Sequence, residues 1–228
     1  MNILITGASK GIGYDTALKL ADNPQHRILA LSRNEAGLRQ LALAFDNIEY
    51  FCFDITQPDF PALLQKIEVF GGIDVLLNNA GILINKPFPE LSAADWQASF
   101  ATNLFGVVEL IRTVLPYLEQ SEQAHIVNIG SMGGFQGSSK FPGLAAYSAS
   151  KAAVANLTEC LAEEFKTQKI AVNCLAFGAV QTEMLATAFP GYQAPVGSAD
   201  MATWVAWFCT QGQQFFNGKI LPVSVSTP

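Results

Sequence analysis

Short apolar runs rich in β-formers alternate with longer stretches of helical period along all 228 residues, and this alternation constrains the fold more than any other feature. Strands are expected near 3–6, 27–31, 49–53, 74–77, 125–130, 171–175 and 219–223, with helical segments filling almost every gap. Parallel neighbours need a long crossover, usually a helix, and right-handed crossovers place helices on both faces of the sheet. The expected class is therefore α/β, a parallel sheet between two helical layers. No linker rich in Pro, Ser or charge divides the chain, so 1–228 reads as one domain. The best candidate for a mobile element, a lid, is 182–200, where Pro190, Gly191, Pro195 and Gly197 interrupt the helical pattern.

Composition removes several classes of function. Half the residues are hydrophobic, too many for a disordered chain. The net charge is −6 and the basic residues are scattered, which gives no footprint for nucleic acid. Charged residues make up only 14%, against about 25% in an average protein, so part of the outer surface is expected to meet another subunit. The uninterrupted apolar runs fall short of the roughly 20 residues that span a bilayer, so no membrane helix is expected. The N-terminus carries no basic region or cleavage site, which points to a cytoplasmic protein. Cys52, Cys160, Cys174 and Cys209 form no Cys-x-x-Cys pair and read as buried free thiols. His26 and His125 have no second ligand at metal spacing, so no metal is assigned.

The first strand runs directly into Gly7-Ala8-Ser9-Lys10-Gly11-Ile12-Gly13 and then into a helix. A glycine-rich strand-to-helix turn lets backbone approach a pyrophosphate, and the exposed N–H groups and helix dipole attract its charge. Gly7 permits the turn, and Gly11 and Gly13 are expected to permit close approach. A ligand-free βα turn would use similar glycines, but the position after an N-terminal strand favours a dinucleotide. The second strand ends at Ser32-Arg33, about 20 residues further on, where an acid would normally hold a ribose 2′-hydroxyl. With Lys10, these residues offer a hydroxyl and two cations to a 2′-phosphate, so NADP(H) is favoured over NAD(H). Asp54 offers an acceptor for an adenine amino group, or else caps a turn.

Tyr147 and Lys151 lie four residues apart at the start of a long apolar helix, on one face. An ammonium beside a phenol stabilises the phenolate, so Tyr147 is expected to have a lowered pKa and to exchange a proton near neutrality. Together with Thr6-Gly-Ala-Ser-Lys-Gly-Ile-Gly13, Asn78-Asn-Ala-Gly81 and Ser131 at a strand end, Tyr147-x-x-x-Lys151 makes the chain resemble the single-domain short-chain dehydrogenases/reductases, from Met1 to about Val223. That resemblance implies a doubly wound, seven-stranded Rossmann fold with strand order 3-2-1-4-5-6-7.

The resemblance also implies residue roles. Tyr147 is the general acid or base, and Lys151 binds the nicotinamide ribose while holding the Tyr147 pKa down. Ser131 bonds the substrate carbonyl oxygen, and Asn103 positions a water in a proton relay. Asn79, Ala80 and Gly81 line the ribose side, with the Asn-Asn pair stiffening the sheet. Gly178, Val180 and Thr182 follow the sixth strand beside the nicotinamide. Three departures stand out. Phe177-Gly178 replaces the usual Pro-Gly, Ser131 and Tyr147 are sixteen positions apart rather than about a dozen, and the 223–228 tail lacks the family's acidic Gly-Gly ending.

The expected substrate wall is apolar: Ile82, Met132, Phe135, Phe141, Phe177 and Met184, with Leu83, Leu144, Phe189 and Tyr192 nearby. Such a wall suits a small hydrophobic ketone, aldehyde or secondary alcohol better than an anion. Helices near 101–119 and 147–165 have apolar faces suited to pairing with their copies, so a homodimer or homotetramer is expected. Two readings compete. One is an NADPH-dependent carbonyl reductase or alcohol dehydrogenase; the other is a non-catalytic NADP(H)-binding sensor or scaffold. Retention of both Tyr147 and Lys151 favours the enzyme.

Overall fold

In the computed structural model, residues 1–225 are described. Chain order runs β1 (Asn2–Thr6), α1 (Gly11–Ala21), β2 (Arg27–Ser32), α2 (Glu35–Ala42), β3 (Ile48–Cys52), α3 (Phe60–Phe70) and β4 (Val75–Asn78). It continues through α4 (Ala93–Phe100), α5 (Gly106–Leu118), β5 (His125–Ser131), α6 (Ala145–Glu164) and β6 (Ala171–Phe177). The last part contains β7 (Val180–Gln181), α7 (Glu183–Ala188), β8 (Val196–Gly197), α8 (Ser198–Gln211) and β9 (Ile220–Val223).

All seven expected strands form, and they pair in parallel in the order β3-β2-β1-β4-β5-β6-β9. The seventh strand of the expected order is β9. Side chains alternate across a strand, so β1 feeds two cores. Ile3 and Ile5 pack with Ala17, Leu38 and Phe208 from α1, α2 and α8. Leu4 faces the opposite layer with Ile67, Leu110, Val114 and Phe165, from α3, α5 and the end of α6. The fold is thus doubly wound, and burial on both faces accounts for the nearly continuous apolar runs. The direction in which successive strands are added reverses between β1 and β4, which opens a crevice at their C-terminal ends.

Local expectations are corrected for the 101–119 helix and for the cysteines. The 101–119 segment begins as a wide π-turn over Ala101–Phe105, between α4 and α5. Helical structure runs unbroken over the 26 residues Ala93–Leu118, and with an apolar stretch of mean hydropathy 1.3 inside it the helix is long and apolar enough to cross a bilayer. Short uninterrupted runs had hidden this. Its Val107, Leu110, Ile111, Val114 and Leu118 are instead buried in the core against the sheet. The 182–200 segment is structured: it holds α7, and Val180 and Gln181 pair in parallel with Val196 and Gly197. Finally, Cys52 and Cys160 are exposed, and only Cys174 and Cys209 are buried. Positions 226–228 of the atypical tail lie outside the described residues.

At the N-terminal edge of the sheet, where β5 begins, His125 is completely buried. Its neutral ring uses both nitrogens: Nδ1 donates to the Cys209 carbonyl at 3.2 Å, and Nε2 accepts from Asn173 Nδ2 at 3.0 Å. Burial pushes the imidazole down to about 4, and a second proton would point at the Asn173 N–H. An unfolded chain protonates this group near 6.5, so between pH 6.5 and 4 it binds more protons than the native state. Stability therefore falls as pH falls through this window, by about 3 kcal/mol at its lower end, and is unaffected above it. His26, also held below its usual value by burial, acts in the same direction. Urea unfolding at pH 7 and pH 5 checks the effect in the wild type and in His125→Gln. Equal pH dependence in the two proteins would show that His125 carries none of it.

Candidate active site

The crevice between β1 and β4 is stitched by one hydroxyl. Thr6 Oγ1 accepts from the Asn79 and Ala80 N–H groups, both at 3.0 Å. Asn79 Nδ2 returns bonds to the Thr6 and Gly7 carbonyls at 3.0 and 3.2 Å. Gly7 has φ +69, a left-handed value that favours glycine, and a Cβ there would lie 2.9 Å from Ala80 Cα. These contacts make a bare-backbone cradle at the start of α1 that fits a pyrophosphate.

Gly7, Ser9, Lys10, Gly11 and Ile12 all line the cleft that continues from this cradle. Gly13 does not. A Cβ at Gly13 would lie 2.4 Å from Asn79 Nδ2 and 2.6 Å from the Gly7 carbonyl, so its smallness serves the packing behind the turn rather than approach by a ligand.

At the β2 end, Ser32 and Arg33 also line the cleft, and no acid replaces them. Ser32 Oγ lies 2.8 Å from Ser9 Oγ. Arg33 Nη1 is 3.8 Å from Asp54 Oδ2. Asp54 lines the cleft, but its Oδ1 closes a turn by accepting from Thr56 N and Oγ1 at 2.8 and 2.7 Å. Against the cost of burial, these bonds and Arg33 hold its carboxyl below the usual range. One oxygen of Asp54 is therefore committed to the turn-capping role.

At the other end, Ser131, Tyr147 and Lys151 line the same cleft, with Asn79, Ala80 and Gly81 opposite. Lys151 is 5% exposed and donates from Nζ to the Ile129 carbonyl at 2.7 Å. Burial brings its ammonium down to about 8. Burial also raises Tyr147 above its ordinary value, while the Ser131 hydroxyl pulls the other way. The lowered tyrosine pKa expected from Lys151 is thus not found, because desolvation dominates.

Asn103 sits within the π-turn and does not line the cleft. Its Oδ1 accepts from Ile82 N at 2.9 Å, and Nδ2 donates to Ile82 O at 3.0 Å and Ser150 Oγ at 2.9 Å. The side chain clamps the loop after β4 to α6. Gly178, Val180 and Thr182 line the cleft after β6. The Thr182 hydroxyl accepts from Leu185 N at 3.2 Å and so caps α7.

Of the expected substrate wall, Ile82, Leu83, Phe177 and Met184 line the cleft. Met132, Phe135, Phe141, Leu144, Phe189 and Tyr192 do not. Met132 and Leu144 are buried, at 4% and 5% exposure, and Tyr192 points outward at 46%. Sequence reasoning missed the Ile129 carbonyl, which any residue supplies, and Gly134. A Cβ at Gly134 would lie 2.5 Å from Ala152 N and 2.9 Å from Lys151 Cβ, so this glycine lets its loop press against α6 at the lysine. The signal was the Gly133-Gly134 pair after β5.

A doubly wound α/β sheet with a glycine cradle at its switch point defines a dinucleotide-binding class of protein. The family described as short chain dehydrogenase matches residues 1–193. A 3-oxoacyl-(acyl-carrier-protein) reductase of Vibrio cholerae is 33% identical over 184 residues, 79% of this chain and 74% of its own. An uncharacterized oxidoreductase of Staphylococcus aureus strain N315 is 29% identical over 212 residues, 91% of this chain and 90% of its own. Among solved structures, a 3-ketoacyl-(acyl-carrier-protein) reductase from Brucella melitensis complexed with NADH superposes with a TM-score of 0.88. It is 27% identical, and the match covers 98% of this chain and 96% of that one. The chain belongs to the short-chain dehydrogenase/reductase family, and it is an oxidoreductase of that family.

Proposed function

We propose that the protein is an NADP(H)-dependent reductase of small hydrophobic ketones or aldehydes, or in reverse a dehydrogenase of secondary alcohols. The observation that carries this reading is that Ser131, Tyr147 and Lys151 border one cleft with the glycine cradle. The bound nicotinamide supplies or accepts the hydride. Tyr147, with its pKa raised, holds its proton at neutral pH, the state required of a donor to a carbonyl oxygen. Ser131 offers its hydroxyl to the same oxygen as charge develops there. Lys151, anchored on Ile129, is set to bind the ribose hydroxyls. Ile82, Leu83, Phe177 and Met184 supply the apolar wall. The Vibrio cholerae relative is named for reduction of a 3-oxo group, in keeping with a carbonyl substrate.

For the cofactor, the absence of an acid at the end of β2 and the presence of Lys10, Ser32 and Arg33 favour a 2′-phosphate. The Brucella melitensis neighbour holds NADH, so the test must separate the two cofactors. Arg33→Ala is expected to weaken NADPH about tenfold and NADH less than twofold, as measured by fluorescence titration. Equal weakening of both would remove the 2′-phosphate reading.

We also propose a homodimer that covers Phe105, 57% exposed, and the row it forms with Phe100 and Trp96. This row lies on the α4 side of α6, where a second copy can pair helix to helix.

A further inference from the structure

Beside the phosphate cradle, the structure places a carboxylate. Thr182 lies over the glycine turn, with its Cγ2 3.6 Å from where a Gly11 Cβ would be. The next residue, Glu183, starts α7 and puts Oε1 2.8 Å from Lys10 Nζ, an ion pair spanning 173 positions of sequence. The other end of α7 is tied down as well, since Asn85 Nδ2 donates to the Ala188 carbonyl at 2.8 Å. Lys10, Arg33 and Glu183 also face a second cavity that runs beneath α7 to Asn85 and Thr187. Of the two cations on this side of the cleft, Lys10 thus already holds an anion at hydrogen-bond distance, whereas Arg33 holds only a 3.8 Å pair with Asp54.

A carboxylate at this point repels any phosphate that approaches the turn, and it occupies the ammonium such a phosphate would use. We propose that Glu183 is a cofactor-selectivity residue that competes with the 2′-phosphate for Lys10. This rests on the reading of Lys10 as part of the 2′-phosphate site. With NADH, the carboxylate keeps its ammonium and α7 stays latched to the turn. With NADPH, Lys10 turns from Glu183 to the phosphate, and the α7 start loses its tie to the turn. Glu183 therefore lowers the preference for the phosphorylated cofactor below what Lys10 and Arg33 alone would give. The pair is exposed, with side-chain accessibilities of 60% and 70%, so the effect is a few-fold and weakens with salt.

The test is the ratio of NADH to NADPH dissociation constants, measured by fluorescence titration at low and high salt in wild type, Glu183→Gln, Lys10→Ala and the double variant. Glu183→Gln is expected to raise the ratio about threefold to fivefold at low salt. In the Lys10→Ala background the same substitution is expected to change the ratio by less than half as much, because the contested ammonium is gone. A ratio that is unmoved or lowered by Glu183→Gln overturns the proposal, as does an equal rise with and without Lys10. Failure of the cofactor reading looks different. A wild type without NADPH preference that gains one in Glu183→Gln would remove that reading and leave the competition in place.

Discussion

Replacing Tyr147 by Phe is expected to lower turnover by about a thousandfold while changing NADPH affinity less than twofold. The substitution deletes one oxygen and keeps the ring, so the packing of α6 against β5 survives. What disappears is the proton donor, and general acid catalysis accounts for factors of about a hundred to ten thousand. Ser131, the neighbouring hydroxyl at this end of the cleft, is a weaker acid than a phenol and does not replace that donor. The measurement is NADPH oxidation against a panel of hydrophobic ketones, aldehydes and quinones, with fluorescence titration of the cofactor in parallel. Turnover within tenfold of wild type would assign the proton to another group. Tight NADPH binding with no turnover by the wild type on any panel member would instead favour a sensor.

Gly13→Val is expected to weaken NADPH and NADH alike, by about a hundredfold or more, and to destabilise the fold by about 1–3 kcal/mol. The added Cβ would meet the Gly7 carbonyl at 2.6 Å and the Asn79 amide at 2.4 Å. Neither can yield cheaply: the amide is held by the Thr6 and Gly7 carbonyls, and the carbonyl belongs to a turn at φ +69. Relief requires separating α1 from the end of β4, which opens the cradle. Equilibrium unfolding and titration with both cofactors check this. Loss of NADPH alone would contradict the assignment of Gly13 to the scaffold, because the packing behind the turn serves both cofactors alike.

Much of this architecture was legible from the residues. Strand positions were readable because every strand of the central sheet except the two at its edges is buried on both faces, leaving apolar runs that helical period does not imitate. The glycine cradle and the Tyr147–Lys151 spacing are local in sequence, so their geometry follows from one turn and one helical repeat. What stayed hidden is non-local or carried by backbone. The Asn103 clamp on Ile82 depends on a π-turn that hydrophobic period does not mark. Glu183 meets Lys10 only because the segment after β6 folds back over the turn. Met132 and Leu144 were placed on the substrate wall because apolar type cannot distinguish a pocket lining from core filling. The Tyr147 pKa went the opposite way because neighbouring charge was weighed without desolvation.

The π-turn at Ala101–Phe105 changes how one continuous helix can be used. A regular α-helix turns its side chains by about 100° per residue, so a residue positioned for Ile82 and a later stripe positioned for the sheet are locked in one phase. One extra residue in a wide turn resets that phase. Within the turn, Asn103 points inward to its clamp; downstream, Val107, Leu110, Ile111, Val114 and Leu118 keep their own alignment with the core. The turn works as a phase coupling between two rotational settings, so the helix that carries a core stripe can also aim an amide at the loop beside the cleft.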